Sequence, residues 1–461
     1  MDVPECPGCR ERDARIAAHE ARILALEGQV RDLLDKLKPP QPPRTIVPQP
    51  PAPAKKPTGK KPGGQPGHPP RMKTLVPVER VDQFVPYVPT RCAKCDEPLP
   101  AKAGPQDPEP TRHQVAELPP MAAKITEHQG HARTCPCCSA VTRATIPAEV
   151  RAHSVGPNLT ALMGCLTGVY GVSKRSVEEI VEQTFDVSIA LGTVSNLEQE
   201  LSAALVPAHE EARAAIASAP VKHADETGWK QAGKKRWLWV AATASVVYFL
   251  IHPRRNLDAL KRVAGEKLSG ILCSDRWCVY DDWPGERQLC WAHVKRNWEK
   301  QIERGGAAKR IGEAWLDGHR QVFELWHLFR GGGCTRRELG DRMVPLLFAM
   351  REVLLSGCRT RDRKLARFCT RLDDNFMSLW TFVDREGVEP TNNHAERVLR
   401  RAVLWRRRSF GCHSADGCRF VERILTVTQT LRQQKRSALK FLGETIAAYR
   451  AGKSTPRLVM G

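Results

Sequence analysis

VKHADETGW, residues 221–229, is the stretch whose reading decides the fold. It follows a helical region and precedes the apolar, β-branched run WLWVAATASVVYFLI, Trp237–Ile251. The pattern predicts a short strand ending in Asp225, then a turn at Thr227-Gly228 and a hairpin, which leaves a carboxylate at a strand end. GILCSDRWCVYDDW, Gly270–Trp283, reads as another apolar strand ending in an acid, Asp275. Between them lies a helical segment, Leu257–Ala264, and beyond them a further strand running into CWAHVKRNW. Residues 305–386 read helical, with Trp315, Val322, Phe323, Leu325, Trp326 and Leu328 at apolar positions.

The last acid sits in EPTNNHAERVLRRAVLWRRRSFG, Glu389–Gly411. Ala395, Val398, Leu399, Ala402 and Val403 recur at i, i+3, i+4, i+7 and i+8, a buried helical stripe. Glu396 lies at the edge of that stripe, and Arg397, Arg400 and Arg401 occupy its flanks. Two strand-borne aspartates and a helix-borne glutamate are the ligand set of a two-metal phosphoryl-transfer site of ribonuclease-H type. Mg²⁺ needs hard oxygen ligands, and two ions about 3.5–4 Å apart serve an in-line displacement at phosphorus. Asp225 would bridge both ions, with Asp275 and Glu396 each holding one; Mn²⁺ would substitute. Each acid alone reads more readily as a turn, surface or cap residue. Their order in one basic chain is what favours chemistry.

Lys and Arg number 72 against 51 Asp and Glu, a net +21, which points to a polyanionic partner and to nucleic acid first. The N-terminus lacks a signal-peptide pattern, and the longest apolar run is shorter than the roughly 20 residues that span a bilayer. Sixteen cysteines, partly in CxxC pairs within a long chain, suggest reduced thiols and zinc rather than a disulfide scaffold. Cys92-Ala-Lys-Cys95 and Cys135-Pro-Cys-Cys138 supply four thiolates for a tetrahedral structural Zn²⁺ in a zinc ribbon, with Cys137 the rival of Cys138.

Toward the N-terminus, Ile16, Ile23, Val30 and Leu37 recur every seven residues with Leu26 and Leu33 in the d register, a dimerising coiled coil. Cys6 and Cys9 form a lone CxxC ahead of it. The Pro/Gly/Lys-rich stretch that follows is linker. Residues 156–205 read as helix, turn at 185–188 and helix, with a capping box at Ser176–Glu179. As a helix-turn-helix this would turn Thr193, Ser195 and Asn196 to a DNA groove, with Lys174 nearby; a plain helical hairpin fits equally. The expectation is a multidomain α/β chain: coiled-coil zipper 1–38, linker 39–75, zinc ribbon 76–150, helical DNA-binding-like region 151–215, ribonuclease-H-like core 216–304, helical insertion 305–388, and core completion with C-terminal helices 389–461.

HADETGW, CSDRWCVYD, CWAHVKR and TNNHAERVLRR, with the upstream GGQPGH and CPxC blocks, resemble the signature blocks of transposases of the insertion sequence 66 family, which are DDE enzymes. The chain departs from the pattern at Arg276-Trp277, where Gly-Tyr is usual, at Arg401 in place of a common Pro, and in its closing RLVMG. The resemblance implies cutting and joining of terminal inverted repeats and target DNA, a homodimer or higher oligomer, accessory proteins from the same element, and a bacterial, cytoplasmic, nucleoid-associated setting without a membrane. In that context His293 of Cys290-Trp-Ala-His293 contacts the scissile phosphate or positions the nucleophile; a zinc-binding Cys290/His293 pair is the alternative. A non-catalytic, zinc-containing DNA-binding regulator and a general nuclease are the competing functions.

Overall fold

The computed structural model describes residues 75–102, 104–119 and 121–460. The coiled-coil reading, the linker and the Cys6/Cys9 pair lie outside the described residues. The chain divides into two compact units at 117/118. In the described part of the first, a 3-10 turn, Val78–Arg80, precedes a knuckle closed by an Arg91–Pro98 bridge.

The second unit opens with a short antiparallel ribbon, β1 (Ala132–Thr134) and β2 (Val141–Arg143). After a single helical turn at Ala148–Arg151, four longer helices follow: α1 (Pro157–Gly168), α2 (Lys174–Phe185), α3 (Leu191–Ala204) and α4 (Val206–Ser218). The cap of α2 is Ser173, whose hydroxyl accepts the Ser176 N–H at 3.1 Å, so the helix starts one turn before the expected Ser176–Glu179 box. Gly156–Leu205 is helical as read, and Val177 and Val181 are fully buried.

Five strands then form one sheet: β3 (Val221–Gln231), β4 (Lys234–Ala242), β5 (Val247–His252), β6 (Ile271–Ser274) and β7 (Arg287–Leu289). Their spatial order is β5-β4-β3-β6-β7, with β3, β4 and β5 antiparallel and β6 and β7 parallel to β3. The crossover to β6 runs through α5 (Leu257–Ala264), capped by Asn256. β3 does not end at Asp225. It runs on to Gln231, and the hairpin turns at Ala232-Gly233, where both φ values are positive (47° and 76°). Two left-handed residues match the right-handed twist of the strands, which Thr227-Gly228 in extended backbone does not require. The strand expected to run into CWAHVKRNW is β7, which stops at Leu289, and Trp291 opens helix α6 (Trp291–Ile302).

Strand parity sorts the side chains. Ala224, Trp239, Ala241 and Tyr248 face one layer with α3, α4 and α5. Trp229, Leu238, Val240, Val247 and Phe249 face the other, against α10 (Asn393–Ser409) and α11 (Ala415–Gln433). Helices α7 (Gly306–Arg330), α8 (Arg336–Cys358) and α9 (Arg363–Asp373) build a separate aromatic core, where Trp315 stacks between Trp291 and Trp298 at 6.2 and 5.4 Å. Helix α12 (Ala438–Arg450) closes the fold on α1.

Edge strand β5 is covered by side chains rather than by another strand. On α11, Glu422, Thr426 and Thr430 stand four residues apart and accept the N–H groups of Ile251 (2.6 Å), Phe249 (2.9 Å) and Val247 (2.9 Å). A helical i, i+4, i+8 row thus matches every second residue of a strand and blocks edge pairing. Thr426→Val keeps the shape but orphans the buried Phe249 amide. It is expected to cost about 1–3 kcal/mol in denaturant unfolding.

Candidate functional site

The β3–β6 pairing ends at His223 with Cys273. Two residues further along each chain stand Asp225 and Asp275, so the parallel register sets the two acids side by side. Asp225 shares its strand face with Trp229, the face against which α10 packs. Glu396 is in the first turn of α10.

Asn392, 1% exposed, fixes that helix start. Its side-chain amide donates to the Ala224 carbonyl at 2.8 Å and its Oδ1 lies 3.0 Å from His223 Nδ1. Its backbone N–H donates to Cys290 Sγ at 3.1 Å. Strand β3, the α6 start and the α10 start are therefore pinned at one residue that sequence reasoning missed. Its only sequence signal was its place just ahead of the helix. At the far end of α10, Arg406 donates to Thr227 Oγ1 at 2.8 Å and to the Gly228 carbonyl, holding the helix along the strand.

Electrostatically the site is unfavourable without a cation. Burial pushes the Asp225 carboxyl up from 3.8 to about 8, and the charges of Glu226, Asp275 and Glu396 push in the same direction. Asp275 accepts the Trp277 N–H at 2.9 Å. Glu396 Oε1 lies 3.1 Å from Arg296 and 3.4 Å from His293 Nδ1. Asp225 feels the charges of Asp275 and Glu396, and so does His293, but among the described residues it is Cys290, His293 and Glu396, not the three acids, that bring ligand atoms within 4.8 Å of one another. The carboxylate oxygens of the three acids are of the kind a hard divalent ion takes.

Glu226 points to the opposite face. Its side chain is 1% exposed, accepts from Arg255 Nε at 2.7 Å and from the Tyr280 hydroxyl, and Arg255 in turn lies 3.7 Å over Trp277. Burial raises its carboxyl while Tyr280 and Arg255 lower it. Two of the departures from the resembling pattern are built into the packing: Arg276 stacks on Phe368 at 5.2 Å, and Trp277 carries Arg255. Glu226→Gln loses a charged acceptor facing Arg255 and should cost about 1–3 kcal/mol. Cleavage per folded molecule should persist. Loss of turnover at full folding would place Glu226 in the chemistry.

A cleft of ≈ 860 Å³ runs beside α10, lined by Tyr170, Arg397, Arg400, Arg401, Arg408 and Arg432. Burial and neighbouring Arg432 lower the Arg401 guanidinium. On the α2–α3 hairpin, Thr193 is half-buried and Asn196 exposed. Lys174 is bound to Glu198 (2.6 Å) and Ser195 (3.0 Å), which ties up the charge expected to meet DNA.

The two CxxC turns have the same register. Cys92 accepts the Asp96 N–H and donates to the Glu97 carbonyl, both at 2.9 Å; Cys135 accepts from Ser139 (2.9 Å) and donates to Ala140 (2.8 Å). Asp96 and Ser139, one residue past the second cysteine, are both left-handed. Cys138, not Cys137, therefore holds the position of Cys95. Backbone N–H groups of Lys94 and Cys95 lower the Cys92 thiol, and those of Cys138 and Cys137 lower Cys135.

The transposase IS66 family profile matches residues 154–419, more than half the chain. The chain belongs to the IS66 family of transposases. The match spans α1 through the sheet and into α11, so it includes all three acids. An uncharacterized protein of Sinorhizobium fredii (strain NBRC 101917 / NGR234), y4hP, is 24% identical over 402 residues, which cover 78% of this chain and 70% of that protein. No helix among the described residues of this IS66 family member is long and apolar enough to cross a membrane.

Proposed function

We propose that this chain is a DDE transposase that cleaves and joins the ends of its insertion element. In this reading the sheet and α10 form a ribonuclease-H-like core and α7–α9 its helical insertion. The observation that carries it is the half-buried grouping of Asp225 on β3, Asp275 just past the end of β6 and Glu396 in the first turn of α10, with the charges of the last two raising the Asp225 carboxyl. Among the described residues no side-chain cation pairs with Asp225, whose Oδ1 accepts the Glu226 N–H at 2.9 Å. Repulsion of this kind is retained at functional sites, where a ligand relieves it. Two Mg²⁺ ions, or Mn²⁺, held by these oxygens would activate the attacking oxygen and stabilise the leaving one. The protein's own part is to hold the acids in register through the β3–β6 pairing and Asn392, to keep Glu396 oriented beside Arg296, and to set His293 next to the reacting phosphate.

The arginine cleft beside α10 is where DNA phosphates would lie, with Thr193 and Asn196 as further contacts. Arg400→Ala with Arg401→Ala should weaken binding to all duplexes alike and lower the salt slope by about one per lost phosphate contact. Gel shifts across a salt series check this; an unchanged slope removes these residues from the interface. The four cysteines Cys92, Cys95, Cys135 and Cys138 would hold a structural Zn²⁺. Dimerisation, accessory proteins and a nucleoid setting belong to the same proposal.

The test is Mg²⁺-dependent nicking of a duplex carrying the element's terminal repeat beside an unrelated duplex. Nicking confined to the terminal repeat, and lost in Glu396→Gln, supports the reading. Equal nicking of both duplexes favours a general nuclease. Binding without nicking favours a regulator.

A further inference from the structure

Cys290, His293 and Glu396 bring one sulfur, one nitrogen and one oxygen within 4.8 Å of one another. The group is mixed and soft, unlike the all-oxygen set beside it. Cys290 is the residue ahead of α6, and His293 is one turn along it, so helix geometry puts both on one side. Glu396 reaches them from the first turn of α10. His293 Nδ1 is buried and makes no hydrogen bond, although Glu396 Oε1 is only 3.4 Å away. An orphaned ring nitrogen between a thiol and a carboxylate is an uncompensated cost that a metal would remove.

We propose that Cys290, His293 and Glu396 form a site for a thiophilic divalent ion such as Zn²⁺, whose binding draws Glu396 away from the hard-ion site and shuts the enzyme down. Tetrahedral Zn²⁺ with bonds of about 2.0–2.3 Å sets its donors roughly 3.3–3.8 Å apart. The Nδ1–Oε1 separation already fits, and a small side-chain rotation brings in the sulfur. Asn392 N–H donates to Cys290 Sγ at 3.1 Å, a hydrogen bond that a metal-bound thiolate would keep. The fourth position is left for water. Arg296, 3.1 Å from Glu396 and half-exposed, is the cation that an incoming ion displaces. Mg²⁺ does not compete for this trio, because it takes oxygen ligands and resists sulfur. One carboxylate thus serves either a hard ion with Asp225 and Asp275 or a soft ion with Cys290 and His293. The inhibition, though not the binding, rests on the role proposed above for Glu396.

Full-length protein is dialysed against buffered Zn²⁺ in excess Mg²⁺, and bound zinc is counted in wild type, Cys290→Ser and His293→Gln, with circular dichroism to establish folding. Wild type should hold one ion more than either variant, and that ion should bind at least about 100-fold more weakly in both. Equal zinc counts in folded wild type and folded His293→Gln overturn the site, even if Cys290→Ser fails to fold. In the second arm, end cleavage in Mg²⁺ is titrated with Zn²⁺. Wild type should lose activity at a zinc level that Cys290→Ser tolerates. Equal inhibition of both overturns the capture of Glu396. A wild type that binds the extra ion but never cleaves overturns the proposed function instead and leaves the zinc site standing.

Discussion

Asp225→Asn is expected to abolish Mg²⁺- or Mn²⁺-dependent end cleavage and joining, by at least about a thousand-fold, the scale of removing one member of a cooperating catalytic group. The amide keeps the shape and loses the charge. DNA binding should persist or tighten slightly, because the cations that meet phosphate lie outside the acid cluster. The same change should also stabilise the metal-free protein. The Asp225 carboxyl goes from 3.8 to about 8 on folding. A raised folded-state value means that its contribution is most favourable below the unfolded value and is lost as pH rises toward about 8. At neutral pH the cost of the ionised form is on the order of 2–4 kcal/mol. In chelator, Asp225→Asn should therefore melt several degrees above wild type near pH 7.5, and by clearly less at pH 5. A mutant that melts lower than wild type at both pH values would show that Asp225 is an ordinary structural acid. Full cleavage activity would remove it from the site altogether.

Removing the zinc proposed for the four cysteines should be the second large effect. Zinc bound by four thiolates contributes about 10–16 kcal/mol of apparent folding energy to small domains. The two knuckles carry little else to hold them: Cys95, Cys137 and Cys138 are exposed and β1–β2 pairs only three residues a side. Cys92→Ser or Cys135→Ser should each lose one ion and make residues 76–150 protease-sensitive, while the sheet and its helices stay folded on their own cores. Cys137→Ser should keep the ion, since Cys138 has the register of Cys95. Stoichiometric, firmly held zinc in both Cys92→Ser and Cys135→Ser would refute the zinc ribbon. The extra ion at Cys290 should be unaffected by these changes, which separates the two sites.

Sequence alone placed a good deal of this chain. Apolar alternation located β3, β4, β5 and β6, and the i, i+3, i+4 stripe of α10 was read from Ala395 to Val403, of which the structure buries all but the half-buried Val403. Periodicity is a local property, so it survives without knowledge of neighbours. The same local view misplaced the hairpin at Thr227-Gly228, because a glycine inside a long twisted strand looks like a turn until the partner strand is known. It put a fifth strand ahead of CWAHVKRNW but not its end, since a short buried strand and the helix start after it share one apolar run.

What the sequence by itself determined is the identity and chain order of the acids, the basic surplus, and the family signature. What only the tertiary structure decided is their relation in space. The parallel register of β3 with β6 puts Asp225 beside Asp275, and strand parity turns Asp225 toward α10 and Glu226 toward Arg255 and Tyr280. Asn392 is 168 residues from the Ala224 carbonyl to which it donates, and Glu396 is 100 residues from Arg296. Contacts so distant in sequence depend on strand pairing and helix packing across the whole core, and no window along the chain contains them.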